Sequence, residues 1–217
     1  MFLRNTTALV AILAFAAHLV AGTPLLARDE EGLGDLDINP SDVQITPGEG
    51  LPSLESLGIT TADLHDNVLQ QFNTTPDSTS TLSLLRPRAL ECINSGPFFR
   101  ILAAYCTAYL EQLGNTPCVV TGAACTIMCV ARSGADAAYV GGRYMPEGIT
   151  TDTTQSYCRH VAHASRMVTD NCLINIVKSN RGREYAYGNG HFLVGVSGHD
   201  WPCRSNRGLG QENPGGP

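Results

Sequence analysis

No cysteine precedes Cys92 in this 217-residue chain, and all eight lie between Cys92 and Cys203. Aromatic residues are almost as scarce in the first part. Thr23 to Arg88 holds Phe72 alone, with no lysine and with six prolines among many Ser, Thr, Asp and Gly. Such a segment cannot bury enough apolar surface to offset its ordering entropy, which predicts disorder over most of 23–88. After Ala21 no stretch approaches the ~20 apolar residues that a membrane span requires. There is no Gly-x-Ser-x-Gly elbow, no His-Glu-x-x-His pair and no Gly-rich loop followed by a phosphate-binding lysine. The nucleophile elbow, the zinc-protease helix and the P-loop are thereby excluded.

What the chain does have is a layout. Arg4, the apolar stretch Ala8 to Ala21 and the small residues Val20-Ala21-Gly22 have the form of a secretory signal over 1–22. Secretion decides the reading of Cys92, Cys106, Cys118, Cys125, Cys129, Cys158, Cys172 and Cys203: an even set in an oxidising compartment implies disulfides. Cys125 and Cys129 are the one tight pair and lack a second pair at ligand spacing, so no metal or other cofactor is expected.

Charge changes at the same boundary. From Thr23 to Arg88 three Arg stand against eleven Asp and Glu, a net of −8; from Ala89 onward ten Lys and Arg stand against nine acids, a net of +1. A nearly neutral product gives no reason to expect nucleic acid or a membrane surface as partner. Arg86-Pro87-Arg88 lies where charge, cysteine content and composition all switch. It is similar to the sites of dibasic-type processing proteases of the fungal secretory pathway, and cleavage after Arg88 is expected. The expected organisation is therefore a signal (1–22), an acidic pro-segment (23–88), a cysteine-rich domain (89–203) and a flexible tail (204–217). Asn73-Thr74-Thr75 is an N-glycosylation sequon in the pro-segment, at Asn73. Leu64, Val68, Leu69 and Phe72 follow a Thr able to cap at Thr61, so a short helix is the one exception to disorder there.

In the cysteine-rich part, Ser95-Gly96-Pro97 predicts a helix start, Phe98, Leu102, Tyr105 and Tyr109 its buried stripe, and Gly114 its stop. A second helix is predicted from Thr154 to Cys172, with Cys158, Val161, Ala164 or Ser165, Val168 and Cys172 facing inward. It would hold Cys158 and Cys172 about 21 Å apart, too far to bond each other. Strand character fills Cys118 to Ala131 and Ala137 to Val140, and Gly141-Gly142 reads as a turn. Arg183 to Tyr187 and His191 to Ser197 flank Gly188-Asn189-Gly190 as a hairpin. The fold class is α+β, a small disulfide-rich α/β sandwich with two helices on an antiparallel sheet.

The stretch Tyr157-Cys158-Arg159-His160-Val161, then Asp170-Asn171-Cys172, then a Gly-rich turn before His191-Phe192-Leu193-Val194-Gly195-Val196, resembles the core of fungal killer-toxin-like proteins. These are small secreted α/β sandwiches that include antifungal toxins and cysteine-rich effectors. The likeness spans residues 89–203 in outline; the spacing of Cys118, Cys125 and Cys129 departs from the family pattern. It implies a non-enzymatic effector or toxin, a virulence-type activity exerted by binding a protein or surface target outside the cell. The rival reading is a small hydrolase such as a ribonuclease, using Arg183, Glu184, His191 and His199 if they converge. A structural cell-wall protein is the third. His160 and His163, three apart on the second helix, have neither a third ligand nor a general base and read as a solvated face.

Overall fold

The computed structural model describes residues 38–73, 90–121, 125–145, 153–187, 189–199 and 203. Their fold is α+β, with antiparallel pairing throughout and four disulfides.

The acidic segment before the cysteines departs most from expectation. Residues 38–73 are ordered and contribute a strand, β1 (Gln44–Pro47), and a helix, α1 (Thr61–Asn73). The cap is Thr60 rather than Thr61. Its backbone N–H donates to Asp63 Oδ2 at 2.7 Å while Asp63 N–H donates back to Thr60 Oγ1 at 3.3 Å, the reciprocal arrangement of a capping box. Of the expected stripe, Leu64 and Val68 are fully buried and Phe72 is half-buried, whereas Leu69 turns outward and is exposed. The segment is too poor in apolar residues to fold alone, but it borrows the core of the cysteine-rich part. The expected signal over 1–22, the expected cleavage site at Arg86-Pro87-Arg88 and the expected tail from 204 lie outside the described residues.

The chain continues through β2 (Glu91–Cys92), β3 (Phe98–Phe99), α2 (Arg100–Gln112), β4 (Pro117–Thr121), β5 (Cys125–Ser133), β6 (Asp136–Tyr144), β7 (Thr153–Tyr157), α3 (Cys158–Asn171), β8 (Lys178–Ser179), β9 (Gly182–Tyr185) and β10 (Phe192–Ser197). One six-stranded sheet runs in the order β1-β5-β6-β10-β9-β2, flanked by the pairs β3–β8 and β4–β7. Helix α2 packs on β5, β6, α3 and α1, which explains why every residue from Ile101 to Leu110 is buried. A helix apolar on all sides belongs inside, not on one face of a sheet. Small residues allow its close approach to α3, and Thr107 Oγ1 and Ser165 Oγ share a hydrogen bond of 3.0 Å across that buried interface.

Three predicted boundaries move. Ser95 does not cap α2, because Phe98 and Phe99 pair with Ser179 and Lys178, and the helix begins only at Arg100. Residues 153–157 are strand β7, exposed and buried in alternation, and α3 begins at Cys158. Its inward stripe is as predicted, with Cys158, Val161, Ala164, Ser165, Val168 and Cys172 all buried. Gly141-Gly142 is no turn but the middle of β6, where a Cβ on Gly142 would come within 2.6 Å of the Phe192 ring. The real two-residue turn is Gly134-Ala135, closing the β5–β6 hairpin with Gly134 at φ +57°. The stop at Gly114 is as read, in the left-handed region at φ +54°.

Candidate functional site

The disulfides position the site. Cys158, first residue of α3, bonds Cys118 of β4; Cys172, just past its last, bonds Cys92 of β2. Both ends of the helix are therefore tied down, each to a different strand. Cys106, in mid-α2, bonds Cys129 of β5, and Cys125 bonds Cys203. Four disulfides fit an oxidising compartment.

At the N-terminal end of α3 the first two backbone donors are already satisfied. Cys158 N–H donates to Thr116 O at 2.9 Å and Arg159 N–H to Gly114 O at 3.0 Å. The chain around this anchor opens a cleft of about 270 Å³, lined by Pro117, Gln155, Ser156, Tyr157, His160, Tyr187 and Asn189. Its walls come from the β4–β7 pair, the first turn of α3 and the loop between β9 and β10. The helix spacing of Tyr157 and His160 brings their rings edge to face at 5.5 Å between centroids, and Tyr187 meets the other side of His160 at 5.6 Å. Both tyrosines are exposed, 47% and 62%. Arg159 lays its guanidinium over the Tyr157 ring, 5.5 Å from the centroid.

The loop carrying Tyr187 is fixed by Asn189. Its amide nitrogen donates to Gln155 O at 2.6 Å and to Thr154 Oγ1 at 3.0 Å, and its Oδ1 accepts from His191 N–H at 2.9 Å. Asn189 was expected to serve a tight hairpin through a positive φ, yet no non-glycine residue among those described has one. The connection spans Ala186 to His191, and the Asn is there for its side chain, which staples the loop to β7. Burial, and then the neighbouring Arg159 charge, push the His160 pKa below the ordinary histidine value. A hydrogen bond to the Tyr187 backbone opposes this in part. The imidazole between the tyrosines is therefore held neutral near pH 7.

The residues required by the rival hydrolase reading do not converge. His191 precedes β10 and His199 follows it, about 26 Å apart along an extended strand. His191 stacks on Tyr144 and its Nδ1 lies 2.8 Å from Met145 O, while the Ser197 hydroxyl donates to the backbone carbonyl of His199. Arg183 Nε donates to Glu91 Oε2 at 2.7 Å on one face of β9, and Glu184 points to the other face, buried. His163 is exposed on α3, as expected of a solvated face, and among the described residues no three His, Cys, Asp or Glu side chains gather as a metal site. Asn73 closes α1, and the rest of its sequon lies outside the described residues. Among the described residues no helix is long and apolar enough to cross a membrane.

Glu184 carries a measurable consequence. Its Oε1 accepts from Tyr185 N–H at 2.8 Å, Oε2 meets no donor among the described residues, and burial raises its pKa. The folded chain therefore binds this proton more tightly than the unfolded chain does. The associated stability is full below the ordinary Glu range, ~4.3, and is lost as pH rises through the folded pKa. Glu184→Gln removes the ionisation, so the variant should gain over the parent in thermal stability with increasing pH between 4 and 8. Parallel melting-temperature profiles would show that the carboxyl is not paying this desolvation cost.

Sequence reading singled out Tyr157 and His160 only within a resemblance and a rejected metal pair, and it passed over Pro117, Gln155 and Tyr187 as a site. The available signal was Tyr157-x-x-His160 at one-turn spacing, with a further tyrosine at the mouth of a hairpin. No curated protein and no solved structure gives a significant match to the chain. A family model does: the chain belongs to the family described as a domain of unknown function (DUF8794), whose match covers residues 85–198.

Proposed function

We propose that this is a secreted, disulfide-stabilised protein of the effector or killer-toxin type, non-enzymatic, which binds a protein or surface target outside the cell through the Tyr157–His160–Tyr187 cleft. The observation that carries this reading is the cleft itself. Two large exposed rings flank the His160 imidazole on a base anchored by the Cys118–Cys158 bond. Exposed tyrosines offer large rigid contact area at little conformational cost, and they are over-represented among residues that dominate binding energies. Gln155 in the cleft lining, with Arg159 over the Tyr157 face, supplies direction and charge to the contact.

A growth-inhibition and cell-death assay with the purified secreted protein tests this. Tyr157→Ala/Tyr187→Ala should reduce activity at least about tenfold, each hot-spot truncation costing on the order of 2 kcal/mol. His191→Ala/His199→Ala, folded and correctly oxidised, should retain it. The reverse pattern, with RNA turnover by the parent lost in the histidine variant, would replace binding by hydrolysis, since losing a general acid or base costs about 10²–10⁴ in rate.

A further inference from the structure

Two buried phenols of α2 depend on the segment that precedes the cysteines. Tyr105 and Tyr109 are fully buried, and burial pushes both pKa values up to about 12. The Tyr105 hydroxyl lies 2.6 Å from His65 Nδ1, and the Tyr109 hydroxyl donates to Pro52 O at 2.7 Å. Around them the same segment covers two features of the cysteine-rich part. β1 pairs with β5 from Gln44↔Arg132 to Pro47↔Cys129, and Gly48 N–H donates to Met128 O at 2.8 Å, so the edge of β5 is hydrogen-bonded along this stretch. α1 then lays Leu64 and Val68, fully buried, against α2, and Phe72 stacks under Arg100 at 5.0 Å. Strand addition to a sheet edge and a helix laid on an apolar face are the two ways in which proteins most often capture a separate peptide. This segment uses both at once.

None of these attachments is covalent. No cysteine lies before Cys92, so only the chain through residues 74–89 joins the segment to the disulfide network. The family match starts at residue 85 and leaves out β1 and α1.

We infer that residues 38–73 are a non-covalent ligand of the cysteine-rich domain. The β5 edge and the outer face of α2 form a docking surface whose occupant is this chain's own leader, and the leader remains bound after the chain between Asn73 and Leu90 is cut. Cleavage after Arg88 would then yield a two-chain product rather than a bare domain. It would replace an intramolecular contact by a bimolecular one, making retention concentration-dependent. Departure of the leader would uncover an unpaired strand edge beside an apolar helix face, a surface ready to pair with another chain.

The test uses the full chain with a site-specific protease sequence inserted between Ser80 and Thr81. The purified secreted protein is cut, passed through a sizing column at micromolar concentration, and its fractions are weighed under denaturing conditions. Both fragments should elute together at the volume of the uncut protein, and should separate in denaturant without reductant. A folded, fully oxidised C-terminal fragment eluting alone would overturn the inference. In a second arm Leu64→Ala, cut in the same way, should raise the concentration at which the fragments part by at least about tenfold. An unchanged concentration would overturn the assignment of the α2 face as the docking surface.

Discussion

Leu64→Ala should lower the free energy of unfolding of the intact chain by about 2–5 kcal/mol, the range for truncating a buried leucine. Leu69→Ala, five residues further and on another face of the same helix, should change it by less than about 0.5 kcal/mol. The contrast rests on exposure: 1% for Leu64 and 37% for Leu69. A disordered leader would make both substitutions silent, so the pair separates the two descriptions without any need to remove the segment. The measurement is denaturant unfolding of the oxidised protein, read as the shift in midpoint at constant slope. The environment of Leu64 explains the expected size. It sits beside Val68 and Val43 in the cluster that contains Tyr105, Tyr109 and Leu110 of α2. A cavity there would be enclosed by side chains already held by Cys106–Cys129 and would collapse only in part.

The second large effect concerns the bond beneath the cleft. Removing Cys118–Cys158 by Cys118→Ala/Cys158→Ala reopens a loop with a sequence separation of 40. Chain-entropy arithmetic puts the loss at about 4 kcal/mol, a large part of a typical net stability of about 5–15 kcal/mol. Both cysteines are fully buried, so reduction without replacement also leaves thiols in an apolar interior. The same bond holds Pro117 and Tyr157, which face each other in the β4–β7 register and each immediately precede one of the bonded cysteines. Binding through the cleft should therefore fall together with stability in this variant. A variant that lost the stability but kept full activity on its target would place the binding face elsewhere.

The sequence was most informative where one local pattern determines one element. The stripe from Cys158 to Cys172 specifies α3 and forbids a bond between its two ends, and the structure ties each end to a different strand. Gly114 stops α2, and the run after Gly190 is the strand β10, whose every residue from Phe192 to Ser197 is buried. It was least informative where the decisive partner is distant. Composition describes residues 38–73 correctly as too poor in apolar side chains for a core of their own. It is silent on a core supplied from elsewhere, although the all-round apolar surface of Arg100–Gln112 was a sign that α2 needed cover on a further side. Ser95-Gly96-Pro97 looks like a helix start, but pairing of Phe98 and Phe99 with β8 outweighs local propensity. The Thr-Thr-Gln-Ser-Tyr run from Thr153 to Tyr157 alternates like a strand and was absorbed into the neighbouring helix pattern. The cleft was legible only in part. Tyr157 and His160 share a helical turn, but Tyr187 joins them through the side chain of Asn189, a contact across about 30 residues of chain that no spacing rule encodes.

Amide hydrogen exchange on the intact, oxidised protein tests most directly whether residues 38–73 and the cysteine-rich part form one cooperative body. The amides of Gln44–Pro47 and the interior of Thr61–Asn73 should be protected to an extent comparable with those of β5 and α2, because they open only when the shared core opens. Exchange of the β1 and α1 amides at unfolded-chain rates, beside strong protection of β5 and α2, would contradict the account.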